Sequence, residues 1–171
     1  LKEVSQTIVR VYRENDFPVV DAYLPEQDIS SGVVQIIVSE GLVGEIKVED
    51  ATHSKESYLK KQVSLDPGDK IRESTLQRDL NWMNDHPFRV VNLIFEPGED
   101  EGTTNIVLKT RDAKPIRLTA GIDNTGLDLT GENQWNFGVT WGHFLGTEHV
   151  AAYQYSTDLN FENIEAHSVY Y

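Results

Sequence analysis

The sequence HPFRVVNLIFEPGEDEGTTNIVLKTRD (residues 86–112) has the pattern of a β-hairpin. Two runs of β-prone residues flank an acidic turn that contains a glycine. An earlier stretch, NDFPVVDAYLPEQDISSGVVQIIVSEG (15–41), repeats this arrangement. The matching positions are Phe17 and Phe88, Val20 and Val91, and the turn glycines Gly32 and Gly102. The recurrence predicts a repeated structural module.

The segments around the two hairpins complete that module. Apolar residues at helical spacing predict helices over 2–14 and 73–84, and Ser54 is positioned to cap a shorter helix over 55–63. Asn15 is a plausible stop for the first helix. The predicted strands are 18–24, 33–39, 42–50, 90–96 and the second strand of the 86–112 hairpin. Residues 42–112 therefore have the order β-α-α-β-β, and residues 1–41 have its last three elements.

The pattern changes after Pro115, where strands alternate between an aromatic, apolar face and a small, polar face. The stretch NQWNFGVTWG (133–142) is the clearest example, and strands are also predicted over 116–124, over 148–156 and from 167 onwards. The predicted apolar face carries Leu118, Ile122, Trp135, Phe137, Val139, Trp141, Tyr153 and Tyr155. Strands of this kind are typical of membrane β-barrels, although the same alternation also occurs in the core of a water-soluble β-sandwich.

The connections between these strands favour the barrel. Residues 125–132 form a long link, 143–147 a short one and 157–166 a long one. Outer-membrane barrels alternate short periplasmic turns with longer external loops. We therefore expect the apolar face to contact lipid.

Composition narrows the possible functions. The net charge is −13, which disfavours a nucleic-acid partner, and the absence of cysteine excludes disulfides and thiolate metal sites. The five histidines are scattered, and the acidic turns near 66–69 and 99–101 lack the spacing of a calcium-binding loop. No catalytic motif is recognisable. The sequence predicts no metal, no cofactor and no enzymatic activity.

No apolar run is long enough for a membrane helix, and no signal peptide is recognisable. A helical pattern begins close to residue 1, so we expect the chain to be an excised piece of a longer protein.

Several motifs in fixed order resemble a known family. They are YLPEQDISSG (23–32), VSEGLVGEIKV (38–48), DKIRESTLQRDLNWMNDHPFR (69–89), FEPGEDEGTTNIVLKTRD (95–112) and GIDNTGLDLTGENQWNFGVTWGHFLGTEHVAAYQYS (121–156). Together they resemble the outer-membrane transporter of bacterial two-partner secretion systems (TpsB, haemolysin-activator type), in the Omp85 superfamily. The resemblance covers essentially the whole chain.

The resemblance implies an α+β chain of polypeptide-transport-associated (POTRA) domains followed by the first antiparallel strands of a truncated barrel. Residues 1–41 would end the first POTRA domain, 42–112 would form the second, and 113–171 would open the barrel. The POTRA domains would lie in the periplasm and the barrel in the outer membrane. The partner would be an unfolded, TpsA-type exoprotein, which the family exports.

Strand addition is the expected mechanism of client binding, because an edge strand has unpaired N–H and C=O groups that an extended peptide can pair with. The resemblance implies that the first strand of each hairpin lies at a sheet edge. The candidate client-binding residues are Val90, Val91, Asn92, Leu93 and Ile94, with Leu76 and Leu80 of the preceding helix forming a groove. Spacing does not decide whether Val90, Asn92 and Ile94 face that groove or the solvent.

Two other functions remain open at this point. An Omp85-type factor that inserts other barrels into the membrane uses related modules, and a hydrolase could be carried on such a barrel. Two modules followed directly by a barrel favour secretion. The exposed strands of 113–171 also predict non-native self-association when the rest of the barrel is absent.

Overall fold

The computed structural model describes residues 2–30, 32–126, 132–162 and 164–171. It has three helices: α1 Lys2–Glu14, α2 Glu56–Gln62 and α3 Glu73–Asn84. The first five strands are β1 Val20–Tyr23, β2 Ile37–Glu40, β3 Leu42–Glu49, β4 Arg89–Pro97 and β5 Thr103–Asp112. Four more follow: β6 Ile116–Asp123, β7 Gln134–Trp141, β8 Ala151–Asp158 and β9 Glu165–Tyr170. The predicted α+β class is confirmed. Among the described helices, none has the length and apolarity to cross a bilayer.

The chain divides into two compact units. Unit 1 comprises the residues up to Ala51 together with Lys55–Asp85 and Val90–Arg111. Unit 2 comprises Thr52–Ser54, His86–Arg89 and Asp112–Tyr171. Two short segments of the predicted second module, 52–54 and 86–89, therefore group with the last 60 residues of the chain.

Unit 1 is built on a three-stranded sheet of order β3-β5-β4, in which β3 and β5 run parallel. Apolar residues of α2 and α3 share one core with the sheet, so the predicted β-α-α-β-β order encloses a hydrophobic interior. The core residues are Val43, Leu59, Val63, Leu65, Ile71, Leu76, Met83, Val91, Ile106 and Leu108.

The incomplete copy of the module, residues 2–41, contributes α1 and the antiparallel pair β1–β2 to unit 1. It is fastened to α3 through Asp16, whose carboxylate accepts hydrogen bonds from the Ser74 backbone N–H at 2.6 Å and from the Ser74 hydroxyl at 2.8 Å. The guanidinium of Arg72 lies 3.9 Å from the centroid of the Phe17 ring. The repeated turn glycines, Gly32 and Gly102, have φ of 76° and 78°, a left-handed conformation that favours glycine.

A bulge in β3 explains part of the VSEGLVGEIKV motif. The register between β3 and β5 shifts between Val43 and Ile46, and the Glu45 N–H there donates to Asn105 Oδ1 at 2.8 Å. A Cβ at Gly44 would lie 2.6 Å from that same oxygen. Glycine is therefore required where the bulge brings backbone and side chain together.

Three local predictions in unit 1 and its borders are corrected. Asp16, not Asn15, has the left-handed backbone that ends α1, because the Asn15 side chain donates back to the Val11 carbonyl. The predicted strand 33–39 begins only at Ile37, since Gln27 binds both the N–H and the C=O of Gln35. Ser54 does not cap α2; its hydroxyl donates to Asp112 instead.

Unit 2 contains a four-stranded antiparallel sheet of order β6-β7-β8-β9. The third strand begins at Ala151, three residues later than predicted, because a 3-10 turn over Phe144–Gly146 and the residues after it occupy the connection. The last strand begins at Glu165, two residues earlier than predicted. Most of the predicted link 125–132, and one residue of 157–166, lie outside the described residues.

Candidate functional site

The first candidate site is the outer edge of β4 in unit 1. Because β5 is the central strand, β3 and β4 are the two outer strands of the sheet. The outer side of β3 is partly covered: Val43 N–H donates to the Asp69 carbonyl, and Gly68 N–H donates to the Val43 carbonyl, both at 2.8 Å. Within the described parts of the chain, the only strand next to β4 is β5.

A groove of about 310 Å³ runs between β4 and α3. It is lined by Pro18, Glu73, Leu76, Gln77, Leu80, Asn92, Leu93 and Phe95. Four of the seven candidate client-binding residues therefore line one groove. Of the other three, Val91 belongs to the core, whereas Val90 and Ile94 are exposed on the strand and do not line the groove.

One position of this edge is closed by the chain itself. The Asn84 side chain donates to the Val91 carbonyl at 3.0 Å and accepts the Val91 N–H at 2.7 Å. An amide side chain thus imitates the backbone of a neighbouring strand at Val91. Sequence reasoning missed Asn84; the signal present was an amide at the end of the 73–84 helix, shortly before a strand.

The second candidate surface is the aromatic face of the unit 2 sheet. The register places the eight predicted residues on one face, in rows such as Leu118–Val139–Tyr153 and Ile122–Trp135. Leu118 is 77% exposed and Phe137 38% exposed. The rings stack along the strands and across them, with centroids 5.9 Å apart for Trp135 and Phe137 and 6.5 Å apart for Phe137 and Tyr155. The arrangement is a continuous apolar surface.

A third cluster, also in unit 2, was not predicted from the sequence. Arg89 donates to Glu148 Oε2 at 2.7 Å and to the Ser54 hydroxyl oxygen at 3.1 Å, and its side chain is 3% exposed. Asp112 accepts backbone N–H groups from all three residues of the 52–54 segment and the Ser54 hydroxyl. Burial raises the pKa of the Asp112 carboxyl, but these hydrogen bonds outweigh burial and hold its pKa below the usual value.

Two histidines adjoin this network. The rings of His86 and His143 are 4.7 Å apart between centroids, and His143 Nδ1 lies 3.5 Å from Glu148 Oε1. Burial, followed by the positive charge of Arg89, lowers the pKa of His86. The cluster draws on four separate parts of the chain, so no local spacing could have revealed it. Its residues are Ser54, His86, Arg89, Asp112, His143 and Glu148.

Comparisons with known proteins agree with these features. Residues 102–171 match the model of the haemolysin secretion/activation protein family ShlB/FhaC/HecB, and residues 1–41 match the ShlB-type POTRA domain. The chain is 26% identical over 148 residues to the heme/hemopexin transporter protein HuxB of Haemophilus influenzae strain 86-028NP, covering 85% of this chain and 26% of that protein. It is 27% identical over 141 residues to the outer membrane transporter CdiB-2 of Burkholderia pseudomallei, covering 81% and 23%.

The fold is similar to that of CdiB from Escherichia coli, with a TM-score of 0.79 and 24% identity over 99% of this chain and 32% of that one. The chain spans about a quarter of the length of the two relatives above. The chain is therefore similar to the ShlB/FhaC/HecB haemolysin secretion/activation family over residues 102–171 and to the ShlB-type POTRA domain over residues 1–41, and its fold is similar to that of CdiB.

Proposed function

We propose that this chain is the client-receiving part of an outer-membrane polypeptide transporter, together with the first strands of its barrel. An unfolded exoprotein of the TpsA type adds a strand to the outer edge of β4 and is then delivered to the pore. The observation that carries the proposal is the groove beside that edge, where Leu76, Leu80 and Leu93 can receive alternate client side chains.

Asn84 supports a specific register for the added strand. In an antiparallel hairpin, the N–H and C=O groups of alternate residues point to the same side. The Val91 groups point to Asn84, so those of Leu93 and Phe95 point to the same, outer side. The client strand therefore pairs with Leu93 and Phe95 and ends at Val91, where the edge is closed.

Residues 113–171 would provide the opening strands of the barrel, with 1–41 and 42–112 as parts of two periplasmic POTRA domains. The aromatic face of unit 2 supports this assignment, because an exposed apolar face of this size needs lipid or another chain to cover it. In water, we expect this face and the outer strands β6 and β9 to cause non-native self-association.

The names of the relatives favour secretion as the overall activity. HuxB is named as a heme/hemopexin transporter protein and CdiB-2 as an outer membrane transporter. A role in inserting other barrels shares the POTRA fold, but none of the contacts described above favours it over secretion. The proposal includes no enzymatic step.

Two substitutions at one position test strand addition. Leu93→Pro and Leu93→Ala both remove the groove side chain, but only proline also removes the outward N–H. Proline is tolerated at an outward-facing edge position, so both variants should fold, as circular dichroism can verify. The probe is an unfolded fragment of a TpsA-type exoprotein.

We expect Leu93→Pro to bind that fragment more weakly than Leu93→Ala by about 0.5–1.5 kcal/mol, the net value of one hydrogen bond. Ile94→Ala, on the exposed side of the same strand, should bind like the wild type. Equal binding by the two Leu93 variants would contradict backbone pairing.

A further inference from the structure

The cluster of His86, His143 and Glu148 in unit 2 has the donor atoms of a metal site. One ligand atom from each residue can be chosen so that all three lie within 4.8 Å of one another. We propose that these residues bind a divalent transition-metal ion of the zinc type. The proposal is independent of client binding, because it concerns different residues and a different unit.

The geometry fits a tetrahedral ion after a small contraction. Ligand atoms about 2.1 Å from zinc lie about 3.4 Å apart in a tetrahedral site. His143 Nδ1 and Glu148 Oε1 are already 3.5 Å apart. All three ligand atoms lie within 4.8 Å of one another, so the longest separation has to shorten by at most about 1.4 Å.

The donor types agree with this class of ion. Two imidazoles and one carboxylate are the nitrogen and oxygen ligands that zinc prefers, and three protein ligands leave a fourth position for water. Glu148 can serve the metal and Arg89 at once, since Arg89 holds Oε2 and leaves Oε1 toward His143. Such an outer partner fixes the orientation of a ligating carboxylate.

The two rings have nitrogen atoms to offer. Within the described residues, the Nε2 atoms of His86 and His143 are buried and have no hydrogen-bond partner. His86 as a residue is 8% exposed. Its other nitrogen, Nδ1, accepts only a long contact of 3.4 Å from the Phe88 N–H, so the ring loses little by turning toward an ion. Buried polar atoms without partners are costly. An ion bound through His86 Nε2 and His143 Nδ1 would remove that cost at His86 and leave Nε2 of His143 as it is.

Charge and backbone strain point the same way. Glu148 and Asp112 bring two negative charges to the cluster, against the one positive charge of Arg89, so a cation would balance the excess. His143 has a left-handed backbone, with φ 51° and ψ 38°, which is unfavourable for a residue that has a Cβ. This conformation holds the imidazole beside Glu148. Strain of this kind concentrates at functional sites.

A bound ion would act as a structural clip within unit 2. It would tie the segment His86–Arg89 to the connection between β7 and β8, beside the ion pair of Arg89 with Glu148. Metal binding adds its free energy to the folded state, so the clip would stabilise this corner of the unit.

The test uses the full 171-residue chain in detergent, with Co²⁺ as a spectroscopic probe and Zn²⁺ as its competitor. We expect one equivalent of Co²⁺ to give the intense visible bands of a tetrahedral site, and Zn²⁺ to displace it. His143→Gln and Glu148→Gln should each weaken Zn²⁺ binding at least about tenfold. His149→Gln is the matched control, because this exposed histidine of the same connection stacks on Tyr171 outside the cluster.

A second measurement does not depend on the folding of the His143 and Glu148 variants, because it uses the wild type and the control variant. The thermal midpoint of the wild type should rise with Zn²⁺ and return to its starting value with EDTA, and His149→Gln should behave in the same way. The proposal is overturned if the wild type binds no stoichiometric ion, or if His149→Gln reduces binding as much as His143→Gln does.

Discussion

The two sheets of this chain use the same alternating strands but cover them differently. In unit 1, one face of the β3-β5-β4 sheet forms a core with two helices, and Ile106 and Leu108 are fully buried. In unit 2, the residues of the aromatic face of the β6-β7-β8-β9 sheet are half-buried or exposed, and Phe88 is the one buried hydrophobic residue among the described residues of that unit. The difference shows that period-two alternation predicts a strand but does not tell which solvent its apolar face meets.

The contrast extends to what each sheet can do. One face of the unit 1 sheet is covered by helices. The groups proposed to bind a client are the outward N–H and C=O groups at the outer edge of β4, beside the groove at Leu93. The sheet of unit 2 offers a whole face. An edge strand can pair with a single extended polypeptide, whereas a broad aromatic face can contact lipid.

The largest expected effect separates the two sheets directly. Leu108→Ala, in the core of unit 1, should lower the free energy of unfolding by about 2–5 kcal/mol because it leaves a cavity. Leu118→Ala, on the exposed face of unit 2, should change it by less than about 0.5 kcal/mol. Urea unfolding followed by circular dichroism in detergent measures both. Equal losses would mean that the face of unit 2 is packed like a core.

The next effect concerns the membrane. Tyr153→Arg places a charge on the aromatic face, whereas Gln154→Arg places the same charge on the opposite face of β8. Tyr153→Arg should weaken association with phospholipid vesicles by about 2–4 kcal/mol, and Gln154→Arg should have little effect. Vesicle flotation gives the bound fraction for each variant. If the two variants float alike, the aromatic face is not the lipid-facing one.

The smallest effect concerns one carboxylate in each unit. Hydrogen bonds from Ser74 lower the pKa of Asp16, and those from the 52–54 segment lower the pKa of Asp112 against the effect of burial. A lowered pKa in the folded state stabilises the fold above the ordinary value of 3.8, and this contribution is lost as the pH falls through the folded-state pKa.

Asp16→Asn and Asp112→Asn should therefore lower the urea midpoint at pH 7 and flatten its dependence on pH below about 4. Asp112→Asn should have the larger effect, since that carboxylate accepts bonds from three backbone groups. Parallel urea titrations at pH 7 and pH 3 provide the comparison. If the urea midpoint of each variant changes with pH as much as that of the wild type, these carboxylates do not cause the pH dependence.

Local signals predicted much of the fold. The bounds of α1 and α3 match the prediction because apolar stripes and polar ends both marked them, and the repeat of Phe17 and Phe88 located the two hairpins. Contacts between distant residues escaped prediction. Ser54 binds Asp112 instead of capping a helix, Asn84 closes the edge at Val91, and His86 meets His143 only after folding. The client-binding and lipid-facing assignments remain predictions.

Hydrogen exchange at the edge of β4 is a direct test of client binding by strand addition. In the free chain, the outward amides of Leu93 and Phe95 should exchange quickly, while the Val91 amide is protected by Asn84. When the unfolded exoprotein fragment is added, we expect slow exchange at Leu93 and Phe95 and no change at Val91. Binding that leaves both outward amides fast, or that protects β3 instead, would contradict it.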